Sequence, residues 1–167
     1  MSDSPLLNDD RLFAAEPTQR AIARRLYTAV RDLPIISPHG HTDPQWFADN
    51  QPFADPARLL IVPDHYVFRM LYSQGVPLEA LGIPAADGRP VEGDPRAIWR
   101  QFAQHWYLFR GTPTRMWFEH ALATIFGVRE RLSPATADAI YDRIADCLPR
   151  DEFRPRALFE RFNIEVL

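Results

Sequence analysis

The chain has 167 residues, 46% hydrophobic and 25% charged, a composition that fits one soluble globular domain or a piece of a larger one. Its net charge of −3, with both signs interspersed, offers no basic field for nucleic acid and no polybasic run for a membrane surface. All 19 basic residues are arginine, which excludes lysine Schiff-base chemistry, and the single Cys147 excludes an internal disulfide or a cysteine zinc cluster. That cysteine usage fits a reducing cytosol. The opening Met-Ser-Asp-Ser-Pro lacks the basic and apolar regions of a signal peptide. No apolar run approaches the roughly 18–20 residues of a transmembrane helix. A cytoplasmic protein is expected.

In chain order, Pro17-Thr18 opens a helix expected to run to about Arg31, with Ile22, Leu26 and Val30 on one face. Leu33-Pro34-Ile35-Ile36-Ser37 is short, apolar and partly β-branched, and reads as a buried strand. It leads directly into Pro38-His39-Gly40-His41. A long helical stretch follows. Asp43-Pro44, Asp55-Pro56 and Asp94-Pro95 each set a capping residue before a proline suited to the first helical turn. Gly75, Gly82, Gly111 and Gly127 mark helix ends. Aromatic-rich helices are expected over Trp99–Phe109 and Met116–Phe126, packing through Trp99, Phe102, Trp106, Phe109, Trp117, Ala121 and Phe126. Ser133-Pro134 opens a helix to about Leu148, and a last helix near Pro155–Arg161 precedes a second strand at 162–167. Cys147 reads as a buried filler near a helix end. Two strands so far apart do not make a sheet that stands alone. Parallel strands joined by helices belong to α/β folds with more units, and a (β/α)₈ barrel takes about 250 residues. The chain is expected to be truncated.

Two clusters could carry chemistry. In His39-Gly40-His41, extended backbone would point both imidazoles to one side, where they can reach one ion, with Gly40 leaving room for close backbone approach. Imidazole suits zinc and other first-row divalent ions, although His-x-His pairs also occur by chance on surfaces. In Asp64-His65-Tyr66-Val67-Phe68-Arg69, a helix would place His65 and Arg69 on one face. A tyrosine hydroxyl can donate to a substrate oxygen or move a proton, and arginine suits a carboxylate. The plainer reading is an amphipathic helix capped by Asp64, with Arg69 in a surface ion pair. His105 and His120 fall within aromatic helices and read as packing. No phosphate-binding glycine loop, serine nucleophile elbow or dinucleotide fingerprint is present.

These residues resemble the uronate isomerases (glucuronate isomerase) of the amidohydrolase superfamily. The resemblance runs from Leu-Leu-Asn-Asp-Asp-Arg-Leu-Phe through the Leu-Pro-Ile-Ile strand and His39-x-His41 to Asp-His-Tyr-x-x-Arg, where His65 lies 24 residues beyond His41. It continues through Met116-Trp117-Phe118-Glu119-His120-Ala121-Leu122 and Phe126-Gly127-Val128 to Phe162-Asn163-Ile164-Glu165-Val166-Leu167. Gly40 stands where that family often has cysteine, Ser37-Pro38 where Asp-Tyr is common, and Val67-Phe68 where it has Lys-Trp.

The resemblance implies an α/β fold: the N-terminal part of a metal-dependent (β/α)₈ barrel, itself predominantly helical. It would comprise an N-terminal helical segment (1–32), barrel strand 1 with the metal motif (33–41), a helical insertion (42–161) and barrel strand 2 (162–167). It implies aldose–ketose isomerisation of sugar acids, D-glucuronate to D-fructuronate and D-galacturonate to D-tagaturonate. His39 and His41 would hold a divalent metal, zinc by expectation. Tyr66 would bind substrate and take part in proton transfer, His65 would support it, and Arg69 would meet the substrate carboxylate. The partner is then a small uronic acid, with no nucleic acid or membrane, and a homo-oligomer is compatible with the full-length protein. The alternatives are a metal-dependent hydrolase of the same superfamily and a non-catalytic helical binding module.

Overall fold

Helix α1 (Pro17–Val30) begins where Glu16 accepts from the backbone N–H groups of Thr18 and Gln19, at 2.9 and 2.7 Å, in the computed structural model, which describes residues 7–167. Those bonds, that from Thr18 first, hold the Glu16 carboxyl below its ordinary value. The chain then forms β1 (Ile35–Ile36), which pairs in parallel with β2 (Ile164–Val166) at the other end. The Ile35 N–H donates to Asn163 O and the Ser37 N–H to Val166 O, both at 2.8 Å. Both strands are shorter than the sequence suggests. The buried strand expected at 33–37 is a correction: Leu33, Ile35 and Ile36 are 59%, 48% and 64% exposed. A parallel strand is buried only when neighbours flank it and helices cover its faces. Among the described residues β2 is the only strand beside β1.

Between the strands lie α2 (Pro44–Asp49), α3 (Pro56–Leu60), α4 (His65–Tyr72), α5 (Pro95–Gln104), α6 (Pro113–Thr124), α7 (Ala137–Ala145) and α8 (Pro155–Arg161). Each Asp-Pro pair starts a helix: Asp43, Asp55 and Asp94 accept from the N–H groups of Gln45, Arg58 and Arg96 at 2.8–2.9 Å. Gly82 closes a short 3₁₀ turn at φ +76°, and a Cβ there would lie 2.8 Å from Ile98 Cδ1, so both the backbone conformation and the close contact favour glycine.

Three helices differ from expectation in their bounds. The helix expected over Trp99–Phe109 stops at Gln104, because His105 leaves helical geometry while its Nδ1 pairs with Gln101 O at 2.9 Å. Trp106–Phe109 continues as a 3₁₀ turn. The helix after Ser133-Pro134 starts only at Ala137. There the Ser133 N–H donates to Thr136 Oγ1 at 3.0 Å and that hydroxyl donates to Arg131 O at 2.7 Å, a local turn that competes with helix. Helix α6 begins at Pro113, ahead of Met116, with Thr112 as its cap.

The core lies among α3, α4, α5, α6 and α7. Phe102 is its aromatic centre, with ring centroids 5.0 Å from Phe118, 5.2 Å from Trp106 and 5.6 Å from Phe109. Buried Trp99 donates its indole N–H to Ala137 O at 2.8 Å and so ties α5 to the start of α7. Cys147 is buried, as a filler should be. Trp117 is a second correction: it is 58% exposed and Phe118 takes the buried place, since adjacent residues on a helix face different directions. No helix among the described residues is long and apolar enough to cross a membrane.

Candidate active site

The sequence segment 37–43 links the end of β1 to the capped start of α2. The Ser37 hydroxyl donates to His39 O at 2.8 Å, while Asp43 anchors α2, so the two histidines sit on a loop tied at both ends. Their Nε2 atoms are 3.3 Å apart and the rings are nearly perpendicular, at 87°. Two ligands about 2.0–2.1 Å from a tetrahedral zinc are separated by about 3.3 Å, so the pair fits one edge of such a site. A Cβ on Gly40 would meet Leu167 Cδ1 at 3.7 Å and Thr42 Oγ1 at 3.9 Å, both ordinary contacts. The close backbone approach expected at Gly40 is therefore not what requires a glycine there.

Helix α4 supplies the other half. Asp64 Oδ1 accepts from the Tyr66 N–H at 2.8 Å and caps the helix. Val67 and Leu71 are fully buried and fix α4 against the core, which turns His65 and Tyr66 outward. The His65 ring lies 4.6 Å from that of His41 and 4.3 Å from that of Tyr66. Tyr66 stacks on His41 at 5.6 Å and 19°, and is 51% exposed. The two clusters, 24 residues apart in sequence, thus form one surface at the C-terminal end of β1. Arg69 is exposed on the same helix, and no ion pair involves it among the described residues, contrary to the plainer sequence reading. The contacts of His105 and His120 lie elsewhere: His105 pairs within α5, and His120 Nδ1 is 3.4 Å from Arg11 Nη2.

Asp64, which the sequence offers as a helix cap within the second cluster, also brings its carboxylate within 4.8 Å of ligand atoms of His41 and His65. An aspartate beside a histidine was the available signal, hidden by the stronger capping pattern.

Fold and site together define a helix-rich α/β protein with an imidazole-lined, candidate cation-binding surface at the end of a parallel strand. A profile of the glucuronate isomerase family matches residues 9–167, and the chain belongs to that family. It is similar to the uronate isomerase of Mesorhizobium japonicum, 64% identical over 97% of this chain and 34% of that protein. It is also similar to that of Rhizobium meliloti, 61% identical over 97% and 34%. Among solved structures, the glucuronate isomerase of Caulobacter crescentus superposes with a TM-score of 0.91 at 57% identity, covering 96% of this chain and 33% of that one. The uronate isomerase of Thermotoga maritima does so at 0.81 and 28%, covering 96% and 32%. The chain spans about a third of the length of these relatives.

Proposed function

We propose that this chain supplies the first part of an aldose–ketose isomerase of sugar acids, acting on D-glucuronate and D-galacturonate. The observation that carries the reading is the convergence of His39, His41, His65 and Tyr66 on one accessible surface beyond β1. The strands β1 and β2, parallel and joined by a long helical excursion, are in this reading the first two of a (β/α)₈ barrel, whose active sites lie at the C-terminal ends of the strands.

Isomerisation moves a proton from C2 to C1 of the open-chain sugar through an enediol, while the carbonyl passes from C1 to C2. The reaction needs a base that takes the C2 proton and returns it at C1, a role assigned to none of these residues. It also needs a group that exchanges a proton with the sugar oxygens, and positive potential where oxygen gains charge. Tyr66, half exposed and stacked on His41, presents a hydroxyl that can hold or move that proton at a substrate oxygen. His65, against Tyr66, limits the positions the phenol can take. His39 and His41 would hold a divalent cation, zinc by its fit to paired imidazoles, which when bound polarises the sugar oxygens. Arg69, four residues beyond His65 on the exposed side of α4, could take the substrate carboxylate.

A graft tests this reading: residues 9–167 replace the matching segment of the Mesorhizobium japonicum relative, and the product is assayed on both uronates and on amide and ester substrates. Isomerisation of the uronates without hydrolysis is expected. A folded graft that hydrolyses and does not isomerise would assign the site to the hydrolases of the superfamily instead.

A further inference from the structure

Half of the candidate surface rides on the first turn of one helix. His65 and Tyr66 open α4, where backbone N–H groups have no partner within the helix and the end tends to fray. Tyr66 is 51% exposed, and the aromatic rings it meets among the described residues are both imidazoles, His41 at 5.6 Å and His65 at 4.3 Å. The place of so open a phenol is decided by where the backbone aims its Cα–Cβ bond.

That stretch of backbone is tied to a single residue. Asp64 Oδ1 accepts from the Tyr66 N–H at 2.8 Å, and the Asp64 carbonyl accepts from the N–H groups of Val67 and Phe68 at 3.0 and 3.1 Å. Its own N–H donates to the carbonyl of fully buried Ile61 at 3.2 Å, which joins the turn to the core. Nothing duplicates the side-chain bond. The first turn of α4 carries no acidic residue, and buried Val67 stands where the glutamate of a capping box would. We infer that Asp64 is the positioning residue of this site: its cap on the Tyr66 N–H holds the phenol against His41, and turnover depends on that bond rather than on the carboxylate's charge. The inference rests on the preceding reading for the reaction, and on geometry alone for the hold on Tyr66.

A proton passes between the phenol and a sugar oxygen only across a hydrogen bond. A displacement of about 1 Å can cost about 100-fold in rate, while the rest of the surface still binds the sugar. Loss of the cap therefore falls on kcat more than on KM.

Two experiments test this. In the 167-residue chain, NMR follows the contact between the Tyr66 and His41 rings and the amide exchange of Tyr66 in the parent, Asp64→Ala and Asp64→Asn. Asparagine caps about as well as aspartate and carries no charge. In Asp64→Ala the ring contact should be lost and exchange should speed up at least about tenfold; in Asp64→Asn both should stay as in the parent. In the graft of residues 9–167, Asp64→Ala should lower kcat on D-glucuronate about 10–100-fold with KM within about threefold. Asp64→Asn should restore kcat to within about threefold of the parent. The control is Asp94→Ala, which removes the matching cap from α5, where Asp94 accepts from the Arg96 N–H at 2.9 Å. It should lower the melting temperature about as much as Asp64→Ala and leave kcat near the parent, a split that a merely structural role would not give. An unchanged ring contact in Asp64→Ala overturns the inference. So does Asp64→Asn as damaging as alanine, or an equal loss of kcat in Asp64→Ala and Asp94→Ala. A parent graft that does not isomerise, with the ring contact behaving as expected, overturns the preceding reading and supports the hold on Tyr66.

Discussion

Partial desolvation, and after it the positive charge of Arg11, holds the His120 imidazole below its ordinary value. A histidine with a depressed folded-state pKa takes up its proton more readily when the chain unfolds. Its cost is absent above the unfolded value of about 6.5 and grows as pH falls through it toward the folded one. The melting temperature should therefore drop between pH 7 and pH 5.5, and His120→Gln should remove part of that drop. An identical pH profile for parent and variant would remove His120 from the explanation. The candidate-site residues have a different history. His39 and His41 were legible as a candidate pair because His-x-His is a contiguous metal-ligand pattern, whereas His65 and Tyr66 entered through the family resemblance, since the local pattern alone reads as a capped amphipathic helix. Which rings touch was not legible from spacing. The 4.6 Å approach of His65 to His41 depends on how α4 is seated by Val67 and Leu71 in a core assembled from distant segments.

Helix α2, which follows the histidine loop, is held at its far end by α8. Arg156 donates through Nε to Phe47 O at 2.9 Å and through Nη2 to Ala48 O at 3.1 Å, and its backbone N–H reaches Asn50 Oδ1 at 3.1 Å. Arg154 adds Nη1 to Asn50 O at 3.3 Å. These carbonyls lie at the negative end of α2, where a cation is favoured and unpaired acceptors need partners. Removing the exposed guanidinium by Arg156→Ala should cost about 0.5–1.5 kcal/mol in urea unfolding and speed amide exchange in α2. Arg156→Lys should recover little of it, since one ammonium does not reproduce the planar fork. Full recovery by lysine would show that charge alone matters at this contact. Local signals and distant ones part here. Asp43, Asp55 and Asp94 were legible as caps because cap and helix adjoin, whereas Arg156 acts on carbonyls more than a hundred residues earlier. The break of α5 at His105 was hidden for another reason: the apolar period runs on from Trp99 to Phe109 through a 3₁₀ turn that keeps Trp106 and Phe109 buried.

At the scale of the molecule, two regions contrast. The helices from α3 to α7 enclose a core, while Ile22, Leu26, Val30 and Ile36 stand 45%, 65%, 54% and 64% exposed. Apolar surface of this extent favours association. The chain should self-associate in the micromolar to millimolar range by sedimentation, and Leu26→Glu should weaken that without lowering the melting temperature. A monomer at all concentrations would contradict it. The α/β class was legible because a strand led into a helical run and a second strand closed it. The exposure of those strands was not, since an apolar strand sequence does not reveal what lies beside it.

The most direct test measures kcat/KM for D-glucuronate in the graft of residues 9–167 described above, alongside its Tyr66→Phe and His41→Gln variants and Trp117→Ala as a surface control. Losses of at least about 100-fold are expected for the first two, in the range of a lost proton-transfer group or ligand, with the control near the parent. Parent-like turnover in both site variants would contradict the assignment of isomerase chemistry to this surface.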